Sequence, residues 1–292
     1  MKSVNLFKFI FLCLISVVLV VIAFVTSYET ESNNLEVTFI DVGQGDCVYI
    51  KTPDNFRMLI DAGDKGSYEK YLKKFFARKR IKALDVAVVT HFNSDHFYGF
   101  AEILGKKRID NVYVPYGSEG NLYSDYLYQA CIENKCNYEY IKGGYKIYEG
   151  EDGVKIFVMF PSDFVYKRTE ETSENNNSIV ILLEYSGRKF LFMSDIEEEA
   201  EKAIANFFTC KADVLKVGHH GSNTSSSDYF LSEVLPEYSV ISCGKNNSYG
   251  FPDMRVLERL RRYNSKIYRT DESGNIQFIV DKKGEININT SK

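Results

Sequence analysis

Tryptophan is absent from the 292 residues, proline occurs 5 times, and histidine only 4 times. None of the six cysteines (Cys13, Cys47, Cys131, Cys136, Cys210 and Cys243) forms a C-x-x-C pair, which argues against a cysteine-rich zinc site. Their wide scatter excludes a fold that depends on a disulfide framework. Cys131 and Cys136, five apart, could bridge in an oxidising exterior or stand as two free thiols on a helix. An excess of positive charge is also missing. The net charge of −4 argues against unspecific coating of nucleic acid, while leaving room for a local basic face. No repeat with a period of 20–50 residues is present, and the one biased tract is the short run at 174–177, ENNN.

Long hydrophobic runs are equally scarce, with one exception. Residues 9–25 (FIFLCLISVVLVVIAFV) carry no charge, with Lys2 and Lys8 before them and Glu29 and Glu31 after. The length sits at the lower edge of what a membrane span requires, roughly 17–25 apolar residues. The lysines assign the N-terminal end to the cytoplasm, so that the remainder lies outside the cell. A cleaved signal peptide is the alternative, and it would leave a secreted chain. The missing A-x-A-like site and the length of the run favour an uncleaved single-pass anchor. The sequence therefore divides into an anchor or signal at 1–27, a polar linker at 28–34 and one globular domain at 35–292.

Within that domain, LEVTFIDV, CVYIKT and RMLIDAG read as strands punctuated by glycine and by the turn at Pro53–Asn55. Residues 68–80 have helical spacing with a basic outer face, and 85–89 form a short buried strand. A hairpin over 178–193 leads into alternating helices and strands, and two short strands finish the chain. This order predicts a layered α/β architecture with sheets inside and helices outside.

All four histidines fall in two clusters, His91/His96 and His219/His220, and each cluster directly follows an apolar run, ALDVAVV or ADVLKV. Histidines kept only for packing would scatter. Asp61 ends RMLID and Asp195 ends KFLFMSD, so both carboxylates occupy the same kind of position. Ligands of open α/β sheets bind at the carboxyl ends of strands. Imidazole and carboxylate are the usual ligands of zinc and related divalent ions. A lone aspartate at a strand end is more often a helix cap. Four such features converging on one sheet edge point to a metal instead.

The stretch THFNSDHFYG (residues 90–99) resembles the metallo-β-lactamase signature H-x-[HD]-x-D-H. Together with FIDVGQGDCVYI, MLIDAG, NNNSIVILLEY, FMSDIEEEAE, VLKVGHHGSNTSSS, SCGKNNSYGFP and YRTDESGNI, it is similar to the extracellular metallo-hydrolase domain of ComEC-type DNA-uptake proteins. The resemblance runs in order from about residue 35 to the C-terminus, without the channel helices of the full uptake protein. It implies an αββα metallo-β-lactamase sandwich with a metal centre on one edge, here preceded by the N-terminal transmembrane helix. By position it implies His91 as ligand of a first metal, Asp95 and His96 as ligands of a second, and Asp195 as a bridge between them. His219 or His220 would add a ligand, and Ser222 of the same motif a substrate contact. Asp61 would orient a ligand from behind, and Asn177 and Ser178 stand where related hydrolases place a further histidine. One or two divalent ions, zinc or manganese, would fit these donors. Two positions depart from the pattern: Asn93 replaces a ligating Asp or His, and Phe251 and Asp253 stand where relatives carry histidines. Asn93 can offer its amide oxygen as a neutral ligand, and Asp253 reads as the N-cap of the following helix.

The resemblance further implies DNA or another phosphodiester polymer as substrate, with separate channel proteins as partners in uptake. Lys70, Lys73, Lys74 and Arg78 form a basic face that could hold phosphates, although a merely solvated helix face has the same composition. Two functions stay open: a membrane-anchored, metal-dependent phosphodiesterase or nuclease outside the cell, and a catalytically weakened relative that only binds such a polymer.

Overall fold

The computed structural model describes residues 11–20, 33–162 and 173–292. Residues 11–20 form a helix, α1, whose apolar side chains are exposed. Among the described residues no helix is long and apolar enough to cross a membrane. The rest of the apolar run, and most of the 28–34 linker, fall outside the described residues.

Two mixed sheets face each other. The first runs β15–β14–β1–β2–β3–β4–β5–β6 and the second β13–β12–β11–β10–β9–β8–β7. In the first, β1 (Leu35–Phe39), β2 (Val48–Lys51) and β3 (Arg57–Ile60) are antiparallel, while β3, β4 (Ala83–Val88), β5 (Arg108–Pro115) and β6 (Asn137–Ile141) are parallel. The second sheet repeats the scheme. β7 (Lys146–Glu149), β8 (Lys155–Phe160), β9 (Val180–Tyr185) and β10 (Arg188–Phe192) are antiparallel. From β10 the sheet continues in parallel through β11 (Val214–Lys216), β12 (Tyr238–Ile241) and β13 (Lys266–Arg269).

Successive side chains of a strand point to opposite faces, so each buried strand feeds two cores. Phe190 and Phe192 of β10 join the core between the sheets, and Leu191 packs against the outer helices. Val86 and Val88 likewise face the inter-sheet core, and Ala87 the helices outside. Phe39 meets Phe192 across the sandwich at a ring separation of 6.1 Å. The helical layer on the first sheet comprises a π-turn at Tyr68–Leu72 running into α2 (Lys73–Arg78), then α3 (Ser94–Ile103) and α4 (Leu122–Glu133). That on the second comprises α5 (Glu198–Phe207), α6 (Asp228–Val234) and α7 (Met254–Arg262). The layers are therefore helix, sheet, sheet, helix.

The C-terminus departs from the sequence reading of two final strands. After β13 a single helical turn, α8 (Thr270–Ser273), leads to β14 (Ile276–Val280) and β15 (Ile286–Thr290). β14 leaves the second sheet and pairs with β1, Leu35 opposite Val280. No local pattern announces which sheet a strand joins. Cys131 and Cys136 are free thiols at the end of α4.

Candidate metal centre

The histidines and aspartates of the cluster anticipated from the sequence sit just past the carboxyl end of a parallel strand or in the turn or helix that follows it. Asp61 follows β3, His91 follows β4, Asp195 follows β10, and His219 and His220 follow β11. Asp95 and His96 occupy the first turn of α3, where the helix dipole favours the carboxylate. His219 and His220 both have left-handed backbone angles, φ 47° and 52°. Non-glycine residues rarely adopt that region. Two in succession turn adjacent imidazoles toward one point, which an extended strand cannot do.

The rings converge on Asp195. Its Oδ1 lies 3.4 Å from His96 Nε2, and its Oδ2 lies 3.5 Å from His220 Nε2, 3.8 Å from His219 Nε2 and 3.9 Å from His91 Nε2. Asp95 Oδ2 is 3.2 Å from His220 Nε2, and Asp95 Oδ1 is 3.9 Å from His96 Nε2. His91, His96, His220 and Asp195 are buried. Nε2 of all three buried histidines, and Oδ1 of Asp195, have no hydrogen-bond partner. Buried polar atoms are almost always paired, and one shared focus for four orphans is what a cation requires. Among the described residues four groups of possible ligands emerge: His91/His96/Asp195, Asp95/His96/His220, Asp46/Asp61/His96 and Asp46/Asp195/His220.

The far side of each ring fixes the tautomer. Asp61 Oδ2 accepts from His96 Nδ1 (2.8 Å) and from Thr90 Oγ1 (2.6 Å), while Asp61 Oδ1 accepts from the Thr90 N–H. His220 Nδ1 donates to the Ser242 carbonyl at 2.9 Å. Thr90 Oγ1 and Ser194 Oγ flank His91 Nδ1 at 3.2 and 3.4 Å. With Nδ1 held from behind, Nε2 presents a lone pair forward, the arrangement that metal-binding histidines need.

The cluster's electrostatics calls for a positive charge at its centre. Burial and the neighbouring His96 lower His91 to about 3. Burial opposes charge on His220 and His96, but the surrounding carboxylates overcome it. Asp195 and Asp46 push His220 up to about 10, and Asp195 and Asp61 raise His96 well above its ordinary value. Despite burial, the imidazole of His220 3.2 Å away and the charge of His96 bring Asp95 down to about 2. A divalent ion would take over the charge these protons supply, releasing them on binding.

Two further residues belong here that sequence reasoning did not single out, Asp46 and Lys216. Asp46 lies in the VGQGD loop, 3.4 Å from His220 Nδ1, and its Oδ2 is 2.5 Å from Lys216 Nζ. Both are buried. Burial opposes ionisation of Asp46, yet Lys216 and the imidazoles of His220 and His96 hold its carboxyl well below the ordinary range. The loop is clipped to α3 by the Asp46 N–H donating to the Asp95 carbonyl. Gly45 has φ +123°, and a Cβ there would stand 2.3 Å from the Asp95 carbonyl oxygen. The available signals were a carboxylate between a glycine-rich turn and a strand, and a lysine inside the apolar run VLKV. Neither discloses its partner.

Other residues singled out in the sequence stand around the cluster. Asn93 is the N-cap residue of α3, and its amide donates to Asn175 Oδ1 at 3.0 Å. Asn175 in turn reaches Glu197 Oε1 at 3.4 Å, and Glu197 lies 3.6 Å from His219 Nδ1. Asn177 closes the turn Glu174–Asn177, and Ser178 after it is fully buried with an unpaired hydroxyl. Ser222 spends its hydroxyl inside its own loop, on Thr224. Phe251 packs its ring edge-on against His219 at 5.7 Å. Asp253 caps α7, accepting from the Arg255 N–H. Lys70, Lys73, Lys74 and Arg78 are exposed and lie outside the histidine–aspartate cluster, and Lys73 pairs with Glu69 at 2.8 Å.

Two stacked mixed sheets with helices outside and this cluster at their carboxyl edge define the chain as a metallo-beta-lactamase-fold protein. Residues 40–130, which include Asp46, Asp61, His91, Asp95 and His96, match the model of the Metallo-beta-lactamase superfamily. The chain is 35% identical over 269 residues to ComE operon protein 3 of Bacillus subtilis (strain 168), covering 86% of this chain and 34% of that protein. It is 31% identical over 265 residues to competence protein ComA of Neisseria gonorrhoeae, covering 88% and 34%. The chain thus spans about a third of the length of these curated relatives. A mutant of the CmlA beta-hydroxylase shares the fold, with a TM-score of 0.55 at 14% identity over 87% of this chain and 56% of that one.

Proposed function

We propose that the chain is a metal-dependent phosphodiester hydrolase that acts outside the cell on DNA, held to the membrane by its N-terminal segment. The observation that carries the hydrolase reading is the shared focus of three unpartnered imidazole nitrogens around Asp195. His91, Asp95, His96, Asp195, His219 and His220 would hold one or two divalent ions there. Such ions supply Lewis-acid charge for a phosphoryl displacement and make water acidic enough to serve as nucleophile near neutral pH. The chain's own residues orient the donors: Asp61 and Ser242 fix tautomers, and the Asp46–Lys216 pair stands behind His220. Carboxylates contribute heavily to the donor set, which suits manganese as well as zinc. Relatedness to competence proteins supports DNA as the polymer, and the lysines before the apolar run support the outward orientation.

A second reading has its own observation. The His91 side of the cluster is thinly supplied with charged donors, because neutral Asn93 stands in place of a carboxylate, its amide N–H donating to Asn175, and Phe251 packs against His219. A chain that loads a single ion at Asp95, His96, His220 and Asp195, and binds DNA while cleaving it slowly, would have this geometry. Metal content and turnover separate the two. The full chain is purified in detergent, its bound divalent metal counted, and cleavage of single- and double-stranded DNA followed with added manganese or zinc. Asp195→Ala is expected to lose both metal and cleavage. A wild-type chain with neither would overturn the hydrolase reading, and a variant that keeps its metal would overturn the ligand assignment.

A further inference from the structure

A row of rings leads from solvent into the cluster. Tyr249 is 66% exposed. Its ring lies nearly parallel to that of Phe251, at 14° and 5.6 Å between centroids. Phe251 meets His219 edge-on at 5.7 Å, and His219 Nε2 is 3.8 Å from Asp195 Oδ2. The segment that carries the two rings is braced. Asn247 donates to the carbonyls of Gly244 and Phe251 and accepts from the Phe251 N–H. The Gly244 N–H donates to Gln44 Oε1, tying this loop to the one that bears Asp46. Lys245, exposed in the same loop, adds a cation. One exposed tyrosine on a surface is unremarkable. A braced pair of stacked rings that ends on a histidine of the candidate centre is a different feature.

We propose that Tyr249 and Phe251 form a base-stacking subsite for a single-stranded nucleic acid whose phosphodiester lies at His219 and Asp195. This rests on the phosphodiesterase reading above and names the form of substrate it takes. Every nucleobase offers a π-face, so a stacking shelf accepts any sequence. The offset-parallel pair continues naturally into a third flat ring, the preferred geometry between aromatic faces. Bases inside a duplex already have both faces covered by their neighbours, and the shelf therefore selects a splayed strand.

The test uses the full, manganese-loaded chain in detergent and fluorescent probes: oligothymidylate, an abasic oligonucleotide of equal length, a duplex and a poly(glycerol phosphate). Wild type is expected to bind oligothymidylate more tightly than the abasic strand and the duplex. Tyr249→Ala should weaken oligothymidylate binding by about 5- to 150-fold, the usual range for one stacked base. It should leave abasic binding, metal content and cleavage of a small phosphodiester, methyl p-nitrophenyl phosphate, unchanged. Tyr249→Trp should restore binding. Equal losses on thymidylate and abasic strands, no loss on either, or no binding of oligothymidylate by wild type would each overturn the subsite. Loss confined to the glycerol phosphate polymer would assign the shelf to a polyol phosphate instead and overturn it as well. Cleavage of oligothymidylate by wild type, with binding that does not depend on Tyr249, defeats the subsite alone, whereas base-dependent binding without cleavage by wild type defeats the hydrolase reading alone.

Discussion

Lys216 is a lysine with 2% exposure, in contact with a carboxylate that is 3% exposed, at the base of the cluster. Replacing it by methionine keeps the length and most of the packing but leaves Asp46 buried without its cation. Breaking a buried pair on one side typically costs about 3–5 kcal/mol, since the remaining charge is uncompensated. A domain of this size shifts its melting temperature by roughly 2–4 °C per kcal/mol, which predicts a drop of roughly 6–20 °C. Asp46→Asn should cost a comparable amount, because it strands the ammonium. The double variant, Asp46→Asn with Lys216→Met, should recover more than half of either loss, because no buried charge is left alone. The assay is thermal unfolding of the full chain followed by circular dichroism in the presence of a chelator, so that metal does not contribute. Single variants that melt within about 2 °C of wild type, or a double variant whose losses simply add, would refute the coupling.

Two further outcomes test the cluster and the loop beneath it. Asn93→Asp adds a full negative charge two residues from His91 and is expected to tighten metal binding by at least about tenfold and to raise turnover, as one short-range charge would. Unchanged affinity by calorimetry would show that residue 93 plays no part in holding metal. Glu201 is buried and accepts from the N–H groups of Ser226 and Ser227, and burial lifts it to about 7 from an ordinary 4.5. Between those values the folded state holds a proton that the unfolded chain has released, so stability is full below about pH 4.5 and falls as the pH rises toward 7. The slope is about 1.4 kcal/mol per pH unit, roughly 3 kcal/mol in total. Glu201→Gln should remove that part of the slope in urea unfolding at pH 5, 6 and 7, and an unaltered slope would refute the assignment.

The residue pattern by itself determined the layers and most of the donor set. Apolar runs ending in Asp61, His91, Asp195 and the His219–His220 pair mark strand ends, because a buried strand must be apolar and polar chemistry can begin only where it stops. The capping role of Asp253 was equally legible, since an aspartate before a helical run has a local use for its side chain. Tertiary structure decided the rest. Asp46 and Lys216 became a pair only when the loop after β1 settled against α3 and the end of β11, residues 170 positions apart in sequence. The return of β14 to β1 is likewise a long-range choice, Leu35 opposite Val280. That His219 and His220 both face Asp195 depends on two left-handed residues in a row, which the letters HH do not announce. Periodicity reports which side of an element is buried, because burial is repeated along the element. Which distant charge meets which is settled once, by the packing of loops that have no period.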